Sequence, residues 1–134
     1  MAGKSDYLEN AVLNKVFNAT AFPASSPVFV GLYTAAPTDA GGGTEVSGNA
    51  YARVSVTANS TNFLTSTAGT TNNLIAITFP QATPSGWGVV THFGIFDAST
   101  AGNLLYWNAL TASKTVDPLD TVSFAIGALV VTED

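Results

Sequence analysis

The chain of 134 residues carries a formal net charge of −5, with 46% hydrophobic and only 10% charged residues. It contains no cysteine, which excludes disulfides, zinc–thiolate centres and cysteine nucleophiles. Its four basic residues are scattered, which disfavours direct nucleic-acid binding, and no apolar stretch approaches the roughly 18 residues that cross a membrane. Length therefore predicts a single domain, residues 1–134. The shortage of protective surface charge predicts that neighbours in an assembly cover much of its surface.

The first twenty residues predict one helix over residues 5–17. Ser5 can cap its N-terminus, and Asp6 and Glu9 suit the positive first turn of the helix dipole. Apolar residues then recur at a spacing of about four and form one stripe: Leu8, Val12, Leu13, Val16 and Phe17. Because an isolated helix of about 12 residues is only marginally stable in water, we expect this stripe to pack on the sheet or on another subunit, and packing within the chain is favoured.

From residue 28 onward, side chains alternate at a period of two, which predicts strands. Strands are expected at residues 28–33, 51–56, 75–79, 91–96, 104–109 and 122–131, the last bent at Gly127. Two long loops interrupt the series, at residues 35–49 with three consecutive glycines and at the polar residues 59–72. The predicted fold is all-β: an antiparallel β-sandwich or barrel-like domain over residues 28–132, with one short N-terminal α-helix and two long loops.

The sequence offers few groups for catalysis. Its one histidine, His92, lies in a predicted strand, and a triad of Ser55, His92 and Asp97 lacks an accompanying nucleophile-elbow motif. The triple glycine lacks the Gly-Lys-Ser/Thr ending of a phosphate loop, and the acidic residues follow no calcium-loop pattern. A glycosidase carboxylate pair stays open because a sequence gives no distances, but nothing favours it. We predict a non-enzymatic protein with no catalytic residue, no metal site and no cofactor.

The aromatic residues suggest interaction sites. Tyr106 and Trp107 are adjacent in the fifth predicted strand, where one ring is expected in the core. Trp87 lies in a glycine-flanked turn, where packing on its own domain is favoured and a subunit contact or a stacked ligand are the alternatives. The candidate partner-interface residues combine this ring with the helix stripe and the triple glycine: Leu8, Val12, Val16, Phe17, Gly41, Gly42, Gly43 and Trp87.

Several stretches of the chain are similar to one protein family. They read KSDYLEN from residue 4, VGLYTAAPTD from residue 30, GTEV from residue 43, YAR from residue 51, HFGIFD from residue 92, GNLLYW from residue 102 and KTV from residue 114. In these stretches, which cover most of its length, the chain resembles small structural proteins of tailed bacteriophages, commonly labelled head-decoration or tail-fibre proteins. The resemblance implies a virion protein of a bacterial host and brings no catalytic residues with it. Residues 1–15 show no apolar core followed by a small-residue cleavage site, as a Sec signal would, so we expect synthesis in the cytoplasm of the host.

The resemblance leaves the position in the virion open. A fibre shaft needs length or repeats and the chain has no repeat, so the favoured hypothesis is a capsid decoration (cement) protein that binds the major capsid protein and stabilises the phage head. Its acidity would complement a basic patch on the shell. The alternative is a tail or tail-fibre component bound to tail proteins. The second alternative is a receptor- or carbohydrate-binding module that uses Trp87, Tyr51 and residues 59–73. We expect a homo-oligomer, for which a trimer would suit a quasi-threefold capsid site, and neither nucleic acid nor membrane as a direct partner.

Overall fold

A computed structural model describes residues 3–23 and 26–133. Residues 1, 2, 24, 25 and 134 of the predicted domain lie outside the described residues. The described part contains one helix, α1 (Asp6–Asn18), and ten strands: β1 (Gly3–Lys4), β2 (Val28–Ala35), β3 (Thr44–Glu45), β4 (Val54–Val56), β5 (Thr70–Asn72), β6 (Ile77–Thr78), β7 (Gly88–Phe96), β8 (Leu104–Val116), β9 (Ser123–Phe124) and β10 (Val130–Thr132). This antiparallel, mostly β architecture with a short N-terminal helix confirms the predicted fold class.

Three long strands, β2, β7 and β8, form the centre of a sheet with the order β1-β8-β7-β2-β3, and β4 also pairs with β2. Strands β2 and β7 pair over five consecutive positions, and Gly31 faces Gly94 at the middle of this ladder. A Cβ atom at Gly94 would lie 2.9 Å from the Tyr33 ring. The two glycines therefore leave room on the outer face for the stacked rings of Tyr33 and Phe96, whose centroids are 6.2 Å apart.

The inner face of this sheet carries the core. Alternating apolar residues of the long strands are buried there: Val28, Val30, Leu32, Phe93, Ile95 and Leu105. Two short antiparallel ladders, β5 with β10 and β6 with β9, supply the opposing layer. The Phe93 ring meets the Phe124 ring of β9 edge-on, with centroids 5.9 Å apart. The main sheet and the two ladders thus form the two layers of a sandwich.

The element boundaries differ from the prediction mainly in the second layer. Helix α1 begins and ends one residue later than predicted, and the strand predicted at 51–56 starts at Val54. The strand predicted at 75–79 is reduced to β6, the one at 122–131 is divided into β9 and β10, and the two predicted loops contain β3 and β5. Strand β8 continues beyond the predicted 104–109 to Val116. Residues 110–113 bulge out opposite Thr91, and pairing with β7 then resumes from Lys114 to Val116.

Asn73 replaces regular strand pairing in the second layer, which is why the strands there are short. Its side-chain nitrogen donates to the carbonyl oxygens of Ile75 at 2.8 Å and Ala125 at 2.9 Å. Its side-chain oxygen accepts from the backbone N–H of Leu129 at 2.9 Å, and its carbonyl oxygen accepts from Gly127 N at 2.8 Å. Asn73 is fully buried, so these bonds satisfy groups that water cannot reach.

We expect Asn73→Asp to lower the free energy of unfolding by about 3 kcal/mol, because a buried carboxylate cannot donate to the two carbonyl groups. Urea denaturation followed by tryptophan fluorescence measures this change. Asn10→Asp, at an exposed position of α1, is the matched control and should change stability by less than about 0.5 kcal/mol. Equal stabilities of the two variants would contradict the role assigned to Asn73.

An ion pair joins the first strand to the residue that follows the last strand. Lys4 Nζ lies 2.7 Å from Glu133 Oε1, and the Tyr106 hydroxyl donates to the second carboxylate oxygen. Burial raises the pKa of Glu133, but the hydrogen bonds from Lys4 and Tyr106 outweigh it and hold the pKa below its ordinary value of 4.5. Burial and the same carboxylate raise the pKa of Tyr106, so the tyrosine remains a donor at neutral pH.

The depressed pKa of Glu133 makes part of the stability dependent on pH. This contribution is present above the ordinary glutamate pKa and is lost as the pH falls through the lower pKa of the folded state. We therefore expect Glu133→Gln to have a lower Tm than the wild type at neutral pH but a smaller decrease in Tm on acidification. Thermal denaturation between about pH 6 and pH 3 tests this, and Glu9→Gln serves as the control. An unchanged acid dependence in Glu133→Gln would contradict the prediction.

Candidate interaction surface

Helix α1 is anchored at its first turn. The Ser5 hydroxyl is the predicted N-cap: it accepts from Leu8 N at 3.3 Å and donates to the carbonyl oxygen of Leu104. The Ser5 backbone N–H donates to the carbonyl oxygen of Leu105 at 2.9 Å, and the Leu8 side chain enters the core. The first half of α1 is therefore fixed on β8.

The second half of α1 leaves its apolar residues in solvent. Leu13 is 54% exposed, Val16 65% and Phe17 77%, whereas Val12 is half-buried. Leu13, Val16 and Phe17, which we call the apolar arm, stand at positions i, i+3 and i+4 and so share one helix face. A helix of this length depends on packing for its stability, and the arm packs little within the chain. The arm is the part of the predicted stripe that a partner can cover.

Two predicted interface residues, Leu8 and Trp87, lie in the interior. They are 5% and 7% exposed and belong to the main hydrophobic core, which leaves a partner little of either to contact. Trp87 Nε1 donates to the carbonyl oxygen of Asn49 at 3.0 Å, and its ring meets Tyr51 edge-on at 5.3 Å. The intramolecular packing favoured for Trp87 is therefore what the structure shows. Trp87 and Tyr51 do not form the exposed aromatic platform expected of a binding module.

The triple glycine forms a tight loop whose shape arises within the chain. All three residues have left-handed φ angles, of 95°, 78° and 73° for Gly41, Gly42 and Gly43. The N–H groups of Thr38 and Gly41 each donate to the other's carbonyl oxygen, at 2.9 and 2.8 Å. A Cβ atom at Gly43 would lie 2.7 Å from Pro37 N, so only glycine fits there. Gly42 and Gly43 remain exposed.

Asp39 fastens the glycine loop to the start of α1. Its carbonyl oxygen accepts from the backbone N–H of Asp6 at 2.9 Å. Its carboxylate accepts from Trp107 Nε1 at 3.0 Å, and the Trp107 ring is buried as predicted for this strand. The structure thus brings the glycine loop and the base of α1 together, while Trp87 belongs to a separate part of the domain.

Beside the glycine loop lies a polar cleft of about 540 Å³, and Arg53 is the basic residue in its wall. Arg53 Nε and Nη2 donate to the two carboxylate oxygens of Glu45, each at 2.7 Å. Its Nη1 donates to the carbonyl oxygens of Ala98 at 2.9 Å and Ala101 at 2.8 Å. The guanidinium carbon lies 3.4 Å from the centre of the Phe96 ring. Because the cation is engaged within the chain, we interpret this cluster as structural.

The ionisation of this cluster also fits a structural role. Burial lowers the pKa of Arg53, but the hydrogen bond and charge of Glu45 raise it above the ordinary arginine value. Burial and the nearby Glu45 raise the pKa of Tyr33 to about 12 and raise that of Tyr51 as well. At neutral pH Arg53 is charged and both tyrosines are protonated, so none of the three exchanges protons readily.

We expect Arg53→Lys to lower the free energy of unfolding by about 2 kcal/mol. An ammonium group cannot bind both oxygens of Glu45 in parallel while it holds two loop carbonyl groups and stacks on Phe96. Urea denaturation measures the effect, with Lys114→Arg at an exposed position as the matched control. If Arg53→Lys is as stable as this control, the forked guanidinium group of Arg53 adds nothing to the free energy of unfolding.

The conceivable catalytic triad is not assembled. Ser55 and His92 pair with β2 at positions four residues apart, which is about 13 Å along a strand. The Asp97 carboxylate accepts two hydrogen bonds from Asn103, at 2.7 and 2.8 Å. His92 Nδ1 lies 2.8 Å from Thr91 Oγ1, and burial lowers its pKa. This environment matches the predicted strand histidine with a hydrogen-bonded neighbour.

An apolar groove of about 390 Å³, which the sequence did not predict, opens on the domain surface. Six large side chains in its wall define what we call the apolar groove: Val28, Phe63, Leu64, Ile95, Tyr106 and Val131. The remaining wall residues are small and uncharged. One signal was present in the sequence, because Phe63 and Leu64 are large apolar residues in the otherwise polar segment 59–72.

Across 3–23 and 26–133, no group of three histidine, cysteine or acidic side chains is placed to hold a metal ion. In the same part of the chain, no helix is both long and apolar enough to cross a membrane.

Comparison with known proteins gives one family-level result. The family model described as "Podophage GP4 fiber I protein gp80" matches residues 3–132. No curated protein matches the chain. The matched region includes α1, all ten described strands, the apolar arm and the apolar groove.

Proposed function

Because the chain belongs to the family of podophage GP4 fiber I protein gp80, and is therefore a phage virion structural protein, we propose that it is a non-enzymatic component of a tail fibre. The observation that carries this proposal is the extent of the family match, from residue 3 to residue 132. The match spans both layers of the sandwich and helix α1, so the whole domain, and not one motif within it, belongs to the family.

The family match favours the tail-fibre alternative over the capsid-decoration hypothesis. The lack of repeats disfavoured a long shaft built from this chain alone. A compact sandwich can instead be one module of a fibre in which several chains associate through complementary surfaces. The proposed partners are accordingly tail proteins in place of the major capsid protein, and further copies of this chain.

The apolar arm supports an assembly role. Fully burying one valine, leucine or phenylalanine side chain stabilises a contact by about 1.5–3 kcal/mol. The arm presents three such side chains, more than half exposed, on one face of a helix whose base is fixed to β8. We propose that a neighbouring chain of the fibre covers Leu13, Val16 and Phe17, the last two of which belong to the predicted interface.

The proposal is tested with particles that lack the protein. Purified protein is added back, bound copies are counted by quantitative mass spectrometry, and their position is determined by cryo-electron microscopy. A tail-fibre component saturates at few copies and confines them to the tail. Saturation at hundreds of copies over the shell would establish capsid decoration and overturn the proposal.

We expect Phe17→Asp to reduce incorporation into these particles about tenfold or more, because a carboxylate replaces the most exposed side chain of the arm. Bound copies per particle at a fixed protein concentration measure the effect. Leu119→Asp is the matched control, because Leu119 is 65% exposed and lies outside both the arm and the groove. Equal incorporation of the two variants would show that the arm does not take part in assembly.

A further inference from the structure

The polar cleft beside the glycine loop contains more acidic than basic side chains. Among the described residues, its wall includes Asp6, Asp39 and Glu45 but only one basic residue, Arg53, which leaves the wall with a net charge of −2. Arg53 and Glu45 bind each other through two hydrogen bonds of 2.7 Å. The uncompensated charge of the cleft is therefore that of Asp6 and Asp39.

The carboxylates of Asp6 and Asp39 belong to neighbouring parts of this wall. The Asp6 N–H donates to the Asp39 carbonyl oxygen at 2.9 Å, where the glycine loop meets the start of α1. The Asp39 Oδ1 atom accepts from Trp107 Nε1 at 3.0 Å, which leaves Oδ2 as a further acceptor. Neither acidic residue forms an ion pair with the described part of the chain. Both carboxylates can therefore accept hydrogen bonds from a ligand.

The Tyr33 hydroxyl adds a third group to the same wall. Tyr33 is only 4% exposed, and its ring packs with Trp107 in the outer apolar cluster. The hydroxyls of Tyr51 and Tyr106 each donate to a carboxylate, whereas that of Tyr33 bonds to no described group. Within the described residues, every fully buried polar side-chain atom has a hydrogen-bond partner, so the Tyr33 hydroxyl must reach solvent. The cleft that Tyr33 lines is the opening through which it does so.

The groups that remain free determine which ligand the cleft can accept. They are two carboxylates and one hydroxyl, while Arg53 is bound to Glu45 and to two backbone carbonyl groups. A ligand must therefore bring positive charge and hydrogen-bond donors, and an anion would be repelled. A metal ion is a poor match, because no three acidic side chains of the described residues are placed to hold one. An ammonium or guanidinium group supplies both the charge and the donors.

We propose that the cleft binds the ammonium or guanidinium group of a lysine or arginine side chain that another protein of the virion presents. Asp6 and Asp39 accept charge-assisted hydrogen bonds from the cation, and the Tyr33 hydroxyl accepts one beside them. The proposal goes beyond the proposed function, because it applies equally to a partner in the tail and to one in the head.

Two observations favour a partner protein as the source of the cation. Gly42 and Gly43 at the rim of the cleft are exposed and carry no side chains, so the backbone of a partner can approach the opening closely. A cleft of about 540 Å³ has room for a long basic side chain. A second copy of this chain is the less complementary source, because its net charge is −5 and Lys4 and Arg53 are paired internally.

Three nearly isosteric variants each remove one of the proposed ligand groups: Asp6→Asn, Asp39→Asn and Tyr33→Phe. Tyr33→Phe separates binding from stability, because the hydroxyl that it removes bonds to no described group of the chain. It should leave the Tm unchanged and weaken binding about fivefold. Glu9→Gln is the matched control, because it removes one negative charge from the same helix outside the wall of the cleft.

The probes are the Nα-acetyl methylamides of lysine and arginine, titrated into ¹⁵N-labelled protein and followed by amide chemical shifts. Saturable shifts should be confined to the cleft, and the norleucine methylamide, which lacks the charge, should bind at least about tenfold more weakly. Asp39→Asn should weaken binding about tenfold, and the exposed Asp6→Asn about threefold. Glu9→Gln should bind both probes like the wild type.

The add-back experiment shows whether the cation belongs to a partner. Tyr33→Phe and Asp39→Asn should enter particles at least about fivefold less than Glu9→Gln at a limiting protein concentration. Circular dichroism confirms that each variant is folded, and Tyr33→Phe alone decides the result if Asp39→Asn unfolds.

Four outcomes overturn the inference. The first is that neither basic probe binds saturably in the cleft, and the second is that N-acetylglucosamine, a neutral sugar, binds as tightly as they do. The third is a lower Tm of Tyr33→Phe, which would assign its hydroxyl to the fold. The fourth is normal incorporation of the cleft variants, which would restrict the site to free cations. Failure of the proposed function shows separately, as wild-type protein bound over the shell.

Discussion

The ladder between β2 and β7 is the constraint on which the remaining structure depends. Its five consecutive pairs place Val30 and Leu32 on the core side and direct Tyr33 and Phe96 to the outer side. A slip by one residue would exchange these two sets and separate Gly31 from Gly94. The outer rings would then lose the space that the glycine pair leaves for them. Register and side-chain size are therefore matched at the centre of the sheet.

Side chains on the outer face of the sheet hold the neighbouring loops in place. The Phe96 ring supports the Arg53 guanidinium, which in turn holds Glu45 of β3 and the turn between β7 and β8. The next strand, β8, supplies the carbonyl groups that fix Ser5 and with it the direction of α1. The position of the apolar arm is thus a consequence of the central ladder.

The parts of the fold that could be predicted are those with a strong local signal. The Ser5 cap and the stripe of α1 placed the helix to within one residue, and alternation identified the long central strands. The second layer was predicted only in outline: strands were expected at 75–79 and 122–131, but not their shortening and division. Asn73 organises this layer through bonds to residues that are 52 and 56 positions away in sequence. The groove stayed hidden for a related reason, since its wall combines distant segments such as Phe63 and Val131.

The candidate site shows the limit of periodicity as a signal. The spacing of the helix stripe identifies one apolar face but not how far along the helix the domain covers it. Leu8 is buried and Phe17 is exposed because the helix crosses β8 only at its first turns. For Trp87, the flanking glycines indicated a turn, yet that turn folds its ring against Tyr51 and Phe79. In both cases tertiary placement decides which residues remain for a partner.

The use of charge within the chain explains why the surface through which copies associate should be apolar. Two of the four basic residues, Lys4 and Arg53, are paired with internal carboxylates, and the chain carries a net charge of −5. Copies of such a chain repel one another at long range, which opposes non-specific contact between exposed apolar side chains. Association then requires a surface that buries the arm closely enough to outweigh this repulsion.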